Sequence, residues 1–343
     1  MNNRKKTKKR TSKARKKGNI GKKALKVVAG VGLGAVTSYY LGRALLTKGL
    51  TAAQEVFISK VRKEFANTIW NDSLDNYKYV RRLGEGSFGF VKQFEDSRTK
   101  EQVAIKEINL RSKALLHVKR EIECLQRLKK IGCEEYFVCY KTHFADKNNL
   151  YIVTNYIAGK TLADYENFIL GRPDKLNAAS IKTVMLKIAK GVQILHRHKI
   201  AHLDLKPLNI LVKENDDITI IDFGGACPDG HCLSNEIWTH SAPETKTFFA
   251  NKTPYLLSLS QLFKQDIYAL GGIFVVLWYV LGARGKDEEY ERIDQTILNK
   301  MTNNNPNNRW NIDQVVKFLQ DDIYSTTPDV FTRIYNFFTG TRQ

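Results

Sequence analysis

The segment 202–209, HLDLKPLN, constrains this chain more than any other feature. It places Asp204 and Asn209 five positions apart, and a second acidic residue, Asp222, follows in a DFG sequence. Carboxylate and amide oxygens are ligands that Mg²⁺ prefers, and a neighbouring carboxylate can orient a hydroxyl towards a phosphate. The spacing therefore predicts a fold in which these three side chains converge in one cleft.

The bulk properties allow one large domain with a basic extension. A chain of 343 residues, 43% of them hydrophobic, can bury a core as one two-lobed domain of about 250 residues or as two ordinary domains. Residues 1–54 contain 15 Lys and Arg and no acidic residue, whereas residues 55–343 contain 40 basic and 35 acidic residues. The net charge of +20 therefore belongs mostly to the N-terminal segment and says little about the body.

The cysteines predict reduced thiols rather than a disulfide framework. Their number is odd and their spacing has no tight period, a usage typical of an intracellular protein. The five are Cys124, Cys133, Cys139, Cys227 and Cys232. A zinc site formed by Cys227, His231, Cys232 and His240 is a weaker hypothesis, because the spacing fits no common zinc template.

The N-terminal segment divides into a basic and an apolar part. Residues 1–26 are rich in Lys and Arg, which predicts a disordered tail. Residues 27–46 are apolar, but their uncharged part is 16 residues long, shorter than the ~20 of a spanning helix. This apolar part could be a membrane anchor or membrane-lying helix, a helix packed on the body or a partner, or a loosely structured tail. Fractionation of the full chain against one lacking residues 1–54 tests whether this part associates with a membrane.

The basic tail fits anionic lipid, nucleic acid or an import receptor, with a solubilising tail as the plain alternative. Few aromatic residues interleave with the charges, so base stacking is not indicated. Lipid gains support from residues 27–46, which would supply a second membrane signal. We expect an intracellular protein in the cytoplasm, at a membrane through residues 27–46, or in a virion.

Residues 47–76 are predicted to form a helical linker, because apolar positions such as Val56, Val61 and Phe65 alternate with charged ones. The body is predicted to begin near Tyr77. Strands are predicted at 77–83, 90–95, 102–108 and 151–154, a helix at 114–130, and mainly helices from residue 180 onward.

A glycine-rich loop is formed by Gly84, Gly86 and Gly89, with Ser87 between them. Glycines let the backbone approach phosphate oxygens without a Cβ clash. Such a loop alone is weak support, because dinucleotide-binding loops share the pattern. Those loops are followed at once by a helix, whereas residues 90–94 predict a strand.

Together with a lysine in the VAIK sequence at 103–106 and the APE triplet at 242–244, these motifs resemble the eukaryotic-type protein kinase family. Lys206, two positions after Asp204, resembles the Ser/Thr branch of that family. The resemblance covers roughly residues 77–320. It implies an α+β, two-lobed protein kinase fold, with a small β-rich N-lobe at 77–157, a larger, mainly helical C-lobe at 158–325 and a C-terminal extension at 326–343.

The resemblance implies transfer of the ATP γ-phosphate to Ser or Thr hydroxyls of protein substrates, with ATP and Mg²⁺ bound. Two alternatives stay open. One is a pseudokinase that serves as a scaffold, and the other is a small-molecule kinase of related fold. Incubation with labelled ATP, magnesium and a basic protein separates the three.

The resemblance also implies the residues that bind the nucleotide. Lys106 would hold the α- and β-phosphates, fixed by Glu121, which shares a helical face with Leu125. The remaining contacts would come from the glycine-rich loop (Gly84, Gly86, Ser87, Gly89), from apolar residues around adenine (Val91, Ala104, Leu211) and from a hinge (Thr154, Asn155, Ile157).

The same resemblance implies the catalytic roles. Asp204 would orient the substrate hydroxyl and accept its proton, and Lys206 would neutralise charge on the transferring phosphate. Asn209 and Asp222 would ligate Mg²⁺.

Other positions bear on structure and control. Asp266 would accept hydrogen bonds from the catalytic-loop backbone, and Arg309 would pair with Glu244. Leu203 stands where many members of the family have an arginine that clasps a phosphate on the activation segment. This departure predicts constitutive activity, or control by a route other than phosphorylation of that segment.

Overall fold

The computed structural model describes residues 52–68, 70–86, 89–111, 115–164, 178–230, 232, 242–245, 256–282 and 288–326. The predicted basic tail, the apolar segment 27–46, Ser87, His231 and His240 lie outside these residues. So does the C-terminal extension beyond residue 326.

The N-terminal lobe is built on a five-stranded antiparallel sheet with the strand order β1-β2-β3-β5-β4. Its strands are β1 (Tyr77–Gly86), β2 (Gly89–Asp96), β3 (Gln102–Asn109), β4 (Tyr140–Ala145) and β5 (Asn149–Asn155). Side chains alternate between the two faces of a strand. In β3, Val103 and Ile105 enter an apolar cluster with Phe94, Tyr151 and Val153, so Lys106 faces the other side of the sheet.

That other side is covered by helix α2 (Leu115–Ile131). Leu115, Val118, Ile122 and Leu125 recur at helical spacing and are buried in the main core. Helix α1 (Ala52–Asn67) packs against α2 and β4. The sequence therefore predicted a helical linker and a body that begins near Tyr77. It did not predict that this helix docks on the N-terminal lobe.

The C-terminal lobe is mainly helical. Its long helices are α3 (Ala178–Arg197), α4 (Leu259–Gly282), α5 (Glu288–Lys300) and α6 (Ile312–Thr326). Helix α3 packs against α4 and α6. Short strands at the boundary between the lobes form a β6-β8-β9 sheet and a β7-β10 pair. They are β6 (Lys160–Thr161), β7 (Ile200–Ala201), β8 (Ile210–Val212), β9 (Ile218–Ile220) and β10 (Cys227–Pro228).

A β-rich N-terminal lobe followed by a helical C-terminal lobe confirms the predicted α+β architecture. Within the described ranges, no helix is both long and apolar enough to cross a bilayer.

The prediction of reduced cysteines was wrong. Cys133 is bonded to Cys139 and Cys227 to Cys232, while Cys124 is a free, buried thiol. Two residues with positive φ, Asp229 and Gly230, turn the chain between Cys227 and Cys232, and Gly132, with a φ of +90°, directly precedes Cys133. The paired Cα atoms lie 5.3 and 6.0 Å apart, within disulfide range, which sequence spacing alone does not reveal. Because Cys227 and Cys232 bond to each other, neither offers a thiolate to zinc.

The predicted Arg309–Glu244 pair is present, with the Arg309 side chain buried and the Glu244 side chain 16% exposed. The Arg309 guanidinium donates to both carboxylate oxygens of Glu244, at 2.6 and 2.7 Å, and its side chain is 0% exposed. It also donates to the carbonyl oxygens of Asn303 and Lys264. The pair ties residues 242–245 to helix α4 and to the turn before α6.

We expect Arg309→Met to lower the free energy of unfolding by about 3–5 kcal/mol, because it leaves the Glu244 carboxylate without its cation. Urea denaturation followed by circular dichroism measures the loss. Arg197→Met is the matched control: Arg197 pairs with Asp313 at 3.3 Å, but these side chains are 64% and 62% exposed. The control should lose less than about 1 kcal/mol. Equal losses in the two variants would contradict the buried role of Arg309.

Candidate active site

A cleft of about 590 Å³ lies between the two lobes. It collects most of the residues that the sequence predicted for nucleotide binding. Those that line it are Gly84, Val91, Ala104, Lys106, Glu121, Thr154, Asn155, Ile157, Lys206, Asn209, Leu211 and Asp222. A cavity of this size with apolar walls and a few converging polar groups is typical of a small-molecule site.

The glycine-rich loop is the turn between β1 and β2, as the sequence predicted. Gly86 pairs with Gly89 at the tip of this hairpin, and only Gly84 of the three glycines lines the cleft. A Cβ on Gly89 would lie 1.9 Å from the carbonyl oxygen of Glu107 on β3. Gly89 is therefore required by the close approach of two strands, a steric demand separate from any contact with phosphate.

The cleft has an apolar wall from each lobe. Val91 and Ala104 come from β2 and β3, and Leu211 comes from β8. The hinge begins in the last two residues of β5, where the Asn155 N–H donates to the Cys139 carbonyl at 3.0 Å and the Cys139 N–H donates to Asn155 Oδ1 at 2.7 Å. These two bonds hold the hinge against the loop that the Cys133–Cys139 disulfide closes.

An ammonium group lies between two carboxylates at the back of the cleft. Lys106 Nζ is 2.6 Å from Glu121 Oε1 and 2.9 Å from Asp222 Oδ1. The Lys106 and Glu121 side chains are only 10% and 5% exposed. The predicted Lys106–Glu121 pair is thus present, and Asp222 is a further partner that the sequence did not predict. Strand β3, helix α2 and the loop after β9 each contribute one charge.

The charges in this cluster shift each other's pKa. Burial lowers the pKa of Lys106, but the Asp222 and Glu121 carboxylates outweigh it and raise the value. Burial raises the pKa of Glu121, and Lys106 offsets that rise only in part. Burial also acts to raise the pKa of Asp222, yet Lys106, Lys206 and the Gly224 N–H hold it at about 2. Lys106 and Asp222 are therefore both ionised at neutral pH.

The segment 202–209 brings the predicted catalytic side chains together. Lys206 Nζ donates to Asp204 Oδ2 at 2.7 Å. The Asn209 amide nitrogen donates to the Asp204 carbonyl at 2.8 Å and to Asp204 Oδ2 at 3.0 Å. Because the nitrogen of Asn209 is used in this way, its amide oxygen is the atom left to act as an acceptor or ligand.

A buried carboxylate holds this segment in place. Asp266, at the N-terminal part of α4, accepts from the backbone N–H groups of His202 and Leu203 at 2.8 and 2.7 Å, as predicted. His196 lies 3.0 Å from the same carboxylate. Leu203 has a φ of 61°, in the left-handed region, so these bonds stabilise a strained backbone.

One hydrogen bond and one close approach of the backbone join this segment to the loop that carries Asp222. The Ile221 N–H donates to the Asn209 carbonyl at 2.9 Å. A Cβ on Gly225 would lie 3.3 Å from the Cβ of Asp204. Asn209 and Asp222 thus both line the cleft, whereas Asp204 is not among its lining residues and is joined to it through the hydrogen bonds of its carboxylate with Lys206 and Asn209.

The donors Asn209 and Asp222 fit a magnesium ion. Mg²⁺ keeps several waters and is held by one or two protein oxygens plus substrate phosphates. Across the described ranges there is no group of three or more His, Cys, Asp or Glu that could hold a metal on its own. An amide oxygen and an ionised carboxylate that line the same cleft are consistent with such a shared site.

Several lining residues were missed by the sequence reasoning. Leu83 and Ile152 extend the apolar walls, and Asp164 brings a carboxylate to the rim. Leu83 directly precedes Gly84, which is a usable signal. Nothing in the local sequence marks Ile152 or Asp164, because only the packing of β5 and the β6 region against the cleft exposes them.

The buried His117 on α2 makes stability depend on pH. Burial lowers its pKa well below the ordinary value, and the charges of Arg120 and Lys106 add to this effect. The unfolded chain binds a proton near pH 6.5 and the folded chain does not. With respect to His117, the free energy of unfolding is therefore highest above about pH 6.5. It falls by up to ~1.4 kcal/mol per pH unit below that pH.

We therefore expect the His117→Gln variant to lose less unfolding free energy than the wild type between about pH 6.5 and pH 5. Its slope should be smaller by up to ~1.4 kcal/mol per pH unit, which corresponds to one proton. Urea denaturation at a series of pH values measures both slopes. His143, whose pKa is also lowered by burial, contributes equally to the two chains. Identical slopes would show that His117 is protonated in the folded protein.

Known proteins match this chain over its body. It is 34% identical over 179 residues to a carbon catabolite-derepressing protein kinase of Saccharomyces cerevisiae, which covers 50% of this chain and 27% of that relative. It is 30% identical over 213 residues to cyclin-dependent kinase 20 of Danio rerio, covering 59% and 56%. It is 30% identical over 169 residues to mitogen-activated protein kinase 14 of Xenopus laevis, covering 48% and 45%.

The chain thus spans between about a quarter and just over half of the length of these relatives. Residues 77–321, which begin where β1 begins and end within α6, match the protein kinase domain. This match, together with the presence of Lys106, Glu121 and Asp222 in one cleft, leads to a single conclusion: the chain belongs to the protein kinase domain family.

Proposed function

We propose that this chain transfers the γ-phosphate of ATP to Ser or Thr hydroxyls of protein substrates. The observation that carries the proposal is the Lys106–Glu121–Asp222 cluster, which lies in the same cleft as Lys206 and Asn209. A buried cation with an ionised carboxylate beside it suits a polyphosphate, and the adjoining carboxylate of Asp204 suits a hydroxyl acceptor.

In this proposal Asp204 orients the acceptor hydroxyl and takes its proton. The hydroxyl oxygen forms a bond to the γ-phosphorus as the bond from that phosphorus to the β,γ-bridging oxygen breaks, and ADP leaves. Lys206, 2.7 Å from Asp204, places a positive charge beside the transferring group. Most of the rate then comes from positioning and charge stabilisation.

Lys106 would hold the α- and β-phosphates, with Glu121 keeping the ammonium in place. We propose that Asn209 and Asp222 ligate Mg²⁺, which when bound neutralises phosphate charge. The pKa of about 2 at Asp222 supports this assignment, because the carboxylate is ionised and ready to bind a cation across the physiological range.

The nucleoside would occupy the apolar part of the cleft. Val91, Ala104 and Leu211 would enclose the base, and the backbone of Asn155 and Ile157 would meet its polar edge beside the small residue Thr154. The glycine-rich loop residues Gly84, Gly86, Ser87 and Gly89 would cover the phosphates. The Asp164 carboxylate at the rim is suited to accept from a ribose hydroxyl.

Two alternatives are less well supported. A pseudokinase scaffold would not need the side chains of Lys106, Asp204, Asn209 and Asp222 to be held in place by hydrogen bonds and ion pairs. A small-molecule kinase would not need the buried Arg309 pair, which anchors residues 242–244 in the region where protein kinases dock peptides.

We expect Asp204→Asn to lower kcat by about 10²–10⁴-fold while nucleotide affinity changes little, because the residue acts on the acceptor hydroxyl. Lys106→Met should also abolish turnover. Labelled ATP, magnesium and a basic protein substrate, followed by phosphosite mapping, measure transfer and residue type. Asp313→Asn, an exposed carboxylate outside the cleft, is the control and should keep full activity. Equal transfer by wild type and Asp204→Asn would reject the assignment, and label on a small molecule alone would favour the second alternative.

The surroundings of Leu203 do not support control by phosphorylation of the activation segment, which comprises residues 222–244. This side chain is buried with Ala201, Cys227, Cys232 and Leu257 in a separate apolar cluster, where the arginine of other kinases would hold a phosphate. Apolar packing takes the place of that ion pair.

Treatment with a broad-specificity protein phosphatase should therefore change kcat by less than about twofold, because no phosphate–arginine link is lost at this position. Activity before and after treatment, with mass spectrometry to verify removal of phosphate, measures the effect. A tenfold loss after treatment would contradict this prediction.

A further inference from the structure

Helix α1 lies before the region that matches the protein kinase domain, yet it belongs to the same core. Ile58, Val61 and Phe65 recur at helical spacing and are 5%, 0% and 4% exposed. They share one apolar cluster with Leu115, Val118 and Ile122 of α2 and with Leu110 after β3. The other face of α1 points to solvent, as Val56, 69% exposed, illustrates.

Polar contacts fix α1 to two different elements. Arg62 Nε donates to the Leu110 carbonyl at 2.9 Å, one residue after β3, the strand that carries Lys106. Glu64 pairs with Lys119 on α2, two positions before Glu121. The helix therefore bridges the strand and the helix that supply the two members of the Lys106–Glu121 pair.

A second set of contacts holds the C-terminal end of α1. Trp70 Nε1 donates to the Phe65 carbonyl at 3.2 Å, and the two rings stack with centroids 6.0 Å apart. Trp70 also packs edge-on against His143 of β4, at 5.3 Å. Helix α1 is thus anchored to the sheet near its C-terminal end, while its middle packs against α2.

We propose that α1 is a built-in brace that keeps α2 docked and the Lys106–Glu121 ion pair formed, with Val61, Arg62 and Phe65 as positioning residues. The inference rests on the proposed function for its consequence in catalysis. A shift of α2 of about an ångström would separate a 2.6 Å contact, and packed elements of this kind move as units. Because α1 is part of the same chain, it can hold α2 without a phosphate. This fits a kinase that has Leu203 in place of a phosphate-binding arginine.

Hydrogen exchange of the full chain tests the brace without reference to activity. Val61→Ala removes two methyl groups from the apolar cluster that α1 shares with α2 while raising helix propensity, so α1 itself still forms. We expect protection of amides in 115–131 to fall by about tenfold and protection in 259–282 to stay unchanged. Val56→Ala, on the exposed face of α1, is the matched control and should leave both regions unchanged.

Kinetics test the positioning role. Val61→Ala combined with Phe65→Ala should lower kcat by about tenfold or more, with a smaller change in KM for ATP, because fewer molecules hold Glu121 against Lys106. Val315→Ala, a buried position in α6, controls for a general loss of stability: it should lower the thermal midpoint but leave kcat unchanged. An equal fall of kcat in both, or an unchanged kcat in the double variant, would reject the brace.

A charge exchange provides the rescue. Glu64→Lys and Lys119→Glu alone should each reduce protection of 115–131 by about twofold to threefold, and the two together should restore it. Absence of the single effects or of the rescue would count against the bridge between α1 and α2. If the wild type transfers no phosphate at all, the proposed function fails, whereas the exchange results still decide whether α1 holds α2.

Discussion

The rest of the structure depends on one interaction, the pairing of the buried Lys106 ammonium with the Glu121 and Asp222 carboxylates. A charge taken out of water is stable only when its partners are close and well placed, and loss of one partner costs about 3–5 kcal/mol. The three groups come from a strand, a helix and a loop of the other lobe. The pair distances of 2.6 and 2.9 Å therefore require that all three elements are docked at once.

The surrounding structure serves to keep these elements docked, and it relies on apolar packing. Helix α1 shares an apolar cluster of buried side chains with α2, and Leu203 is buried in a second apolar cluster with Cys227 and Leu257. Asp266 fixes the catalytic-loop backbone from within the C-terminal lobe. These contacts do not depend on an added charge, which is consistent with a site that is assembled in the unmodified chain.

Much of the site was predictable because its chemistry needs particular residue types at short spacing. Asp204, Lys206 and Asn209 lie within one turn-rich loop, so their proximity follows from the sequence itself. Predictions failed where the partner is distant or the backbone is unusual. The chain between the paired Cys227 and Cys232 turns through two residues with positive φ, and the need for glycine at position 89 depends on a carbonyl of the adjacent strand.

The sequence by itself determined the motif residues, and the resemblance that they carry implied the class of fold and the pairing of Lys106 with an acidic residue; helical spacing then selected Glu121 as that residue. The tertiary structure alone decided that Asp222 completes this cluster, that four cysteines are joined in pairs, and that α1 docks on α2. The physical reason is that these contacts join segments far apart in the chain or require special turns. Their formation is set by the packing of the whole core rather than by any local pattern.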